Sequence, residues 1–344
     1  MTATVLVTGG SGYIAEYLIA HLLKQNIEVR ATLRSMKRQD AARKAIQSLG
    51  VESTDQLSFV EADLSSDDGW ADAMSGIKQV YHVASPFPMT QPKDEMEVIK
   101  PAREGVHRVL SAALKAGVKR IVMTAAFGDV AMGYSKARNN HLYTEADWSN
   151  LGPDSVITAY YKSKTLAEQD AWAFVKAHPE LELVTILPVA VLGPVIGNRI
   201  TGSNELIESL VKGNMPGYID YYIPVIDVRD LIEAHVLAMS TPAAAGQRFI
   251  ISNEPTMSFK QIGGILADGV DEPMKLPKIS LPNWTLHLLA PFNGQAKDAI
   301  PELGVARKFT SKHAHEVFNW HPPYSAREPI VASAKSILAK EPNN

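Results

Sequence analysis

Thr4-Val5-Leu6-Val7-Thr8-Gly9-Gly10-Ser11-Gly12-Tyr13-Ile14-Ala15 opens the chain with a short β-branched apolar run that breaks into a glycine-rich turn. A helical pattern follows, with Ile14, Leu18 and Leu22 on one side over residues 13–24. The stretch reads as strand, tight turn, helix. Glycine at 9 permits the turn, and glycine at 12 lets the backbone approach a pyrophosphate at the helix amino terminus, where free N–H groups and the helix dipole favour an anion. Ala15 stands where a small residue lets helix and strand pack closely. Gly9, Gly12, Tyr13 and Ile14 are therefore candidate cofactor contacts. A glycine-rich turn alone can be a mere helix cap; its position at the opening of a βαβ unit favours a dinucleotide site.

Further along, apolar runs and amphipathic stretches alternate. Residues 28–33, 57–61, 79–83, 119–124 and 182–187 read as strands, and residues 37–48, 67–75, 96–116 and 160–177 as helices. Alternation at this spacing builds right-handed βαβ units and a parallel sheet. After Pro188 glycine and proline become frequent, residues 228–239 and 247–251 form one more helix-strand pair, and 325–340 a closing helix. The expectation is an α/β chain: a doubly wound parallel sheet of Rossmann type over residues 1–190, with 222–252 returning to it. Residues 191–221 and 253–344 would form a smaller, mostly C-terminal substrate lobe.

Composition removes several function classes. The chain has 344 residues, 46% hydrophobic and 21% charged, as in an ordinary globular protein. Lys plus Arg number 34 against 37 Asp plus Glu, a net charge of -3, so a broad basic face for nucleic acid is not expected. Cysteine is absent, which excludes disulfides, thiolate metal sites and cysteine nucleophiles. The first basic residue is Lys24, unlike a signal peptide, and the uncharged stretch 183–198 is too short for a bilayer and holds Pro188 and Pro194. A cytoplasmic protein with no membrane partner is expected.

The end of the second strand bears on which dinucleotide is held. A carboxylate there would take the ribose hydroxyls of NAD, whereas arginine accommodates the 2′-phosphate of NADP. The text is Arg30-Ala31-Thr32-Leu33-Arg34-Ser35-Met36-Lys37-Arg38, with no carboxylate before Asp40. It favours NADP(H), with Arg34 and Arg38 on the phosphate, against the plainer reading of a solvated basic turn. Farther on, Tyr160 and Lys164 stand four apart at the start of a helix, on one face and one turn apart. A free phenol titrates near ~10, and a neighbouring ammonium draws it toward neutral pH, making it a proton donor or acceptor. The same lysine can reach a nicotinamide ribose. By itself Tyr-x-x-x-Lys is also an ordinary surface pattern; after a dinucleotide loop it carries weight.

Together these stretches resemble the extended short-chain dehydrogenases/reductases, in the branch of dihydroflavonol, methylglyoxal and aldehyde reductases. The resemblance rests on residues 5–15 and 30–35, Glu61-Ala62-Asp63-Leu64, Tyr81-His82-Val83-Ala84-Ser85-Pro86 and Tyr160-Tyr161-Lys162-Ser163-Lys164-Thr165-Leu166-Ala167-Glu168. Leu187-Pro188-Val189-Ala190-Val191-Leu192-Gly193-Pro194 and residues 226–235 complete it, in the family's order from residue 4 to about 252. It implies that Asp63 and Leu64 flank the adenine, that Ala84 and Ser85 lie along the nucleotide, and that Pro188 and Val191 line the nicotinamide pocket. Tyr160 would protonate a carbonyl oxygen as hydride arrives, with Lys164 positioning the ribose. It also allows a homodimer through the helices after the fourth and fifth strands.

Two departures stand out. Family members end the fifth strand in a Thr-Ser-Ser type sequence whose last serine bonds the substrate carbonyl; here the text is Met123-Thr124-Ala125-Ala126-Phe127-Gly128, so the serine is replaced by Ala126. Loss of such a donor costs on the order of 10²–10³ in rate. Thr124, two residues earlier on the same strand face, is the candidate substitute. Residues 127–132 also lack the asparagine with which plant dihydroflavonol reductases hold a catechol ring, which disfavours flavonoids. Phe87, Phe127, Tyr221 and Tyr222 are candidate pocket walls. His313, His315 and His321 lack the context of a metal motif, no Gly-Lys-Ser/Thr follows Gly12, and no G-x-S-x-G elbow occurs. The expectation is an NADPH-dependent carbonyl reductase acting on a small-molecule aldehyde or ketone. A sugar-nucleotide epimerase or dehydratase, and a non-catalytic NADP-binding sensor suggested by Ala126, are the alternatives.

Overall fold

In the computed structural model residues 4–86, 94–134, 138, 140–197, 199–291 and 294–340 are described. Twelve strands lie among them: β1 (Val5–Val7), β2 (Val29–Leu33), β3 (Leu57–Glu61), β4 (Gln79–His82), β5 (Arg120–Thr124), β6 (Leu142–Tyr143), β7 (Glu182–Pro188), β8 (Ala190–Leu192), β9 (Tyr222–Asp227), β10 (Arg248–Ile251), β11 (Asn253–Ser258) and β12 (Lys308–Phe309). Seven form one sheet in the order β10-β7-β5-β4-β1-β2-β3, every neighbouring pair parallel. Strands buried on both faces need continuous apolar runs, and Val5, Leu6, Val7, Ile121, Val122, Ile186 and Leu187 are all fully or nearly fully buried. The order reverses between β1 and β4. In doubly wound sheets ligands bind beyond the carboxyl ends of the strands at such a switch point.

A second, three-stranded sheet pairs β8 with β9 in parallel and β9 with β11 antiparallel. It has its own core, in which Leu192, Ile207, Leu210, Val225, Ile262 and Ile330 pack. Residues 222–252 divide between the two bodies. Tyr222–Asp227 belongs to the small sheet, whereas the helix Val228–Ser240 packs on β5 and β7 and β10 extends the large sheet. Residues 222–227 pair with β8 on one side and β11 on the other, with Ala190 opposite Val225 and Leu192 opposite Asp227. Among the described residues no helix is long and apolar enough to cross a membrane.

Candidate active site

The first turn is built as close backbone approaches. Gly9 has φ +72°, and a Cβ there would stand 3.0 Å from that of Ala84. A Cβ on Gly10 would come within 2.7 Å of the Ala31 Cβ, so this glycine, not singled out from sequence, seats the turn on β2. Thr32 fixes it from below: its hydroxyl accepts the Gly9 N–H at 3.0 Å and its carbonyl the Gly10 N–H at 2.8 Å. Gly12 is the N-cap of the helix Tyr13–Lys24 and no side chain caps that end. Its first-turn amides are left to serve an anion.

One cleft of about 1980 Å³ runs from this turn across the carboxyl ends of the strands. Drug-sized ligands fill pockets of roughly 300–1,000 Å³, so the cleft has room for an extended dinucleotide and a second molecule. Gly9, Gly12, Tyr13, Ile14, Arg34, Arg38, Asp63, Leu64, Ala84, Ser85, Pro188 and Val191 all line it, as do Tyr160, Lys164 and Thr124. Arg34 and Arg38 are exposed and make no ion pair among the described residues. Glu61, at the end of β3, accepts the Met36 N–H at 2.9 Å, and Asp63 accepts the Ser65 N–H at 2.9 Å. Uncapped amides, a glycine that admits no side chain and two unpaired arginines suit a phosphorylated dinucleotide.

At the other end the helix Ala159–Ala177 starts from Thr158, whose hydroxyl accepts the Tyr161 N–H at 3.4 Å, so Tyr160 and Lys164 lie in its first two turns. The Lys164 Nζ reaches Ser85 Oγ at 3.5 Å and the Thr124 carbonyl at 3.4 Å. Its pKa is lowered by burial, against the pull of Asp129 and Glu168. The Tyr160 phenol is pushed above its ordinary range by burial, with Tyr161 and Asp129 acting in the same sense. That is opposite to the downward pull expected of the Tyr-Lys spacing, because the ammonium rests on Ser85 and the end of β5 and is itself disfavoured by burial. A phenol so held keeps its proton at neutral pH, the form needed to give one away.

Thr124 is turned the other way. Its hydroxyl meets His235 Nε2 at 2.8 Å, and His235 Nδ1 meets the Leu231 carbonyl at 2.8 Å. A carbonyl can only accept, so Nδ1 carries the proton and Nε2 receives the threonine O–H. The hydroxyl expected to stand in for the missing serine is thereby used inside the protein. Ala126 lines the cleft, and its N–H goes to Asp129 Oδ2 at 3.0 Å. Phe127, Tyr221 and Tyr222 line the cleft as well; Phe87 lies outside the described residues.

Sequence reasoning gave no role to Asp129, His82, Glu302 or Arg307. Asp129 is fully buried, and burial followed by Glu168 raises its carboxyl well above the usual range. His82, whose Nδ1 meets Thr8 Oγ1 at 2.9 Å, is pushed down to about 3 by burial and by Lys164, so it stays neutral beneath the site. Glu302 and Arg307 line the substrate end of the cleft and pair with each other. No motif marks any of the four, although Asp129 and Arg307 bond near neighbours, Ala126 and Glu302.

A doubly wound parallel sheet with a glycine turn at its switch point defines a Rossmann-type nucleotide-binding protein. Residues 5–252 match the NAD dependent epimerase/dehydratase family, and the chain belongs to that family. It is 34% identical over 285 residues to dihydroflavonol 4-reductase of Zea mays, covering 80% of this chain and 78% of that protein. It is 31% identical over 246 residues to tetraketide alpha-pyrone reductase 2 of Arabidopsis thaliana, covering 70% and 75%. Among solved structures, yeast methylglyoxal/isovaleraldehyde reductase Gre2 complexed with NADPH superposes with a TM-score of 0.79 at 24% identity, covering 98% of each chain. These relatives are reductases, and the chain is an oxidoreductase of this family.

Proposed function

We propose that the protein is an NADPH-dependent carbonyl reductase that converts aldehydes or ketones to alcohols, with Tyr160 as the proton donor. The observation that carries this reading is one cleft that joins Arg34 and Arg38, which make no ion pair among the described residues, to Tyr160 and Lys164. Bound NADPH would supply a hydride to the carbonyl carbon. Gly9 and Gly12 would admit its pyrophosphate, Arg34 and Arg38 its 2′-phosphate, Asp63 and Leu64 its adenine, and Ala84 and Ser85 the length of the nucleotide. Pro188 and Val191 would wall the nicotinamide, and Lys164 would hold the ribose. The Tyr160 O–H bond breaks toward the carbonyl oxygen, so the product is a neutral alcohol and the phenol is reprotonated from solvent. With alanine at 126, Tyr160 is the donor on which the carbonyl oxygen relies. The NADPH complex of Gre2 supports the cofactor assignment.

The test follows NADPH oxidation by absorbance against a panel of aldehydes, ketones and diketones, with NADH alongside, for wild type and Tyr160→Phe. Turnover with NADPH that vanishes in the phenylalanine variant, while NADPH binding persists, is the expected result. Undiminished turnover would remove Tyr160 from the mechanism. Preference for NADH would remove the arginine assignment, and NADPH binding without turnover on any member would favour a sensor.

A further inference from the structure

The substrate end of the cleft is not uniformly apolar. Phe127, Met132 and Val305 contribute carbon surface, but Tyr161, Tyr221, Glu302 and Arg307 stand among them. Gly128 makes room for this arrangement: a Cβ there would fall 2.2 Å from the Tyr161 ring. Arg307 donates through Nε to the Ala131 carbonyl at 2.7 Å and through a terminal nitrogen to Glu302. Its side chain is 9% exposed and that of Glu302 12%. A guanidinium carries five N–H donors, and two acceptors are accounted for among the described residues. The phenols of Tyr161 and Tyr221 feel the charges of Glu302 and Arg307, and burial pushes the first to about 12 and the second higher still, so both remain donors.

Largely buried donors left facing an apolar ligand would each cost about 1–3 kcal/mol, so this wall discriminates against hydrocarbon. It also discriminates against a carboxylate. Arg307 is already neutralised by Glu302, whose charge would repel a second anion. A hydroxyl suits both partners at once, since it accepts from Arg307 and donates to Glu302.

We infer that Glu302 and Arg307 are specificity-determining residues that select a carbonyl substrate carrying a neutral hydroxyl at the end remote from the reacting carbon. The inference rests on the reductase reading and deepens it. The clean probes are three aldehydes of one shape: 4-methylbenzaldehyde, 4-(hydroxymethyl)benzaldehyde and 4-formylbenzoate. Wild-type kcat/KM should favour the hydroxymethyl compound over the methyl compound by about tenfold or more, with the carboxylate poorest. The double variant Glu302→Gln with Arg307→Met removes both charges together, so neither is stranded. It should bring the three aldehydes to within about threefold of one another while leaving NADPH affinity unchanged. The single variant Glu302→Gln should improve the carboxylate relative to the alcohol.

Three aldehydes reduced alike by the wild type, or a preference that survives in the double variant, would overturn the inference. Binding of the products separates its failure from that of the reductase reading. Calorimetry with 1,4-benzenedimethanol and 4-methylbenzyl alcohol should favour the diol by about tenfold even if nothing is turned over. Equal affinity overturns the pocket assignment, whereas a preferred diol with no aldehyde reduced upholds it and removes the reductase reading instead.

Discussion

Asp129 Oδ2 accepts the backbone N–H of Ala126 at 3.0 Å, at the point where the chain leaving β5 enters the cleft. A buried carboxyl thus takes up the one main-chain donor of the residue whose side chain offers none. Ala126→Ser restores a hydroxyl beside Tyr160. It should raise kcat/KM on simple aldehydes by roughly three- to tenfold, short of the full value of an oxyanion donor because Asp129 competes for the new O–H. Steady-state kinetics with NADPH saturating decide it; an unchanged or lower value means that the carbonyl oxygen does not lie over residue 126.

The Thr124 hydroxyl is bonded to His235 within the protein, although the residue lines the cleft. In Thr124→Val the buried imidazole Nε2 loses its donor, at a cost of about 1–3 kcal/mol. A lower Tm is therefore expected, with kcat/KM within about threefold of wild type. A large loss of kcat at unchanged Tm would return the threonine to the chemistry.

Arg34 and Arg38 can be tested against a single chemical group, the 2′-phosphate. Replacing both with alanine should raise KM for NADPH by about 10- to 100-fold while leaving KM for NADH within about twofold, since each charge-assisted contact is worth roughly 1.5–3 kcal/mol and the partners are exposed. Equal losses with both cofactors would mean that the turn supports the fold and not the phosphate.

Glu16, in the first turn of the helix behind the glycines, has its carboxyl pushed up to about 7 by burial, which Arg199 only partly offsets. The folded state therefore holds this proton more tightly than the unfolded chain, and the contribution of Glu16 to stability falls as pH rises from about 4.5 to about 7. Discounted for its partial exposure, the effect is on the order of 2 kcal/mol. Glu16→Gln should flatten that slope in denaturant titrations, and should strengthen NADPH binding more at about pH 8 than at about pH 6, because the ionised carboxylate lies on the pyrophosphate side of the cleft. Parallel pH profiles for the two proteins would refute it.

The large sheet was readable because buried parallel strands must be short apolar runs, and residues 57–61 and 119–124 sit within a residue of β3 and β5. The helix expected at 160–177 forms at Ala159–Ala177. The glycine turn, the arginine turn and the Tyr160/Lys164 pair stand out in the sequence for a different reason: each is a pattern of residues a few positions apart. What escaped depends on pairing across the fold. Nothing near Tyr222 says that its strand joins β8, and nothing near Asp129 says that it will lie by Glu168 and Lys164. Strand alternation gives the face on which Thr124 stands, whereas the bond of its hydroxyl to an imidazole 111 residues away has no signal in the sequence.

The buried Glu168, one turn beyond Lys164, receives Nε and a terminal nitrogen of Arg248 at 2.9 and 2.8 Å, while that arginine also bonds the Glu145 and Asp147 carbonyls and lies 3.7 Å over the Trp148 ring. Arg248 opens β10, the last strand to join the large sheet. The helix that bears Tyr160 is therefore tied to a residue 88 positions later in the chain, and a nascent polypeptide that stops before β10 would carry every cofactor-side motif without that tie. Residue 252, where the family match ends, falls one position past that strand. The family match therefore closes where the tie between this helix and the last strand of the large sheet is complete.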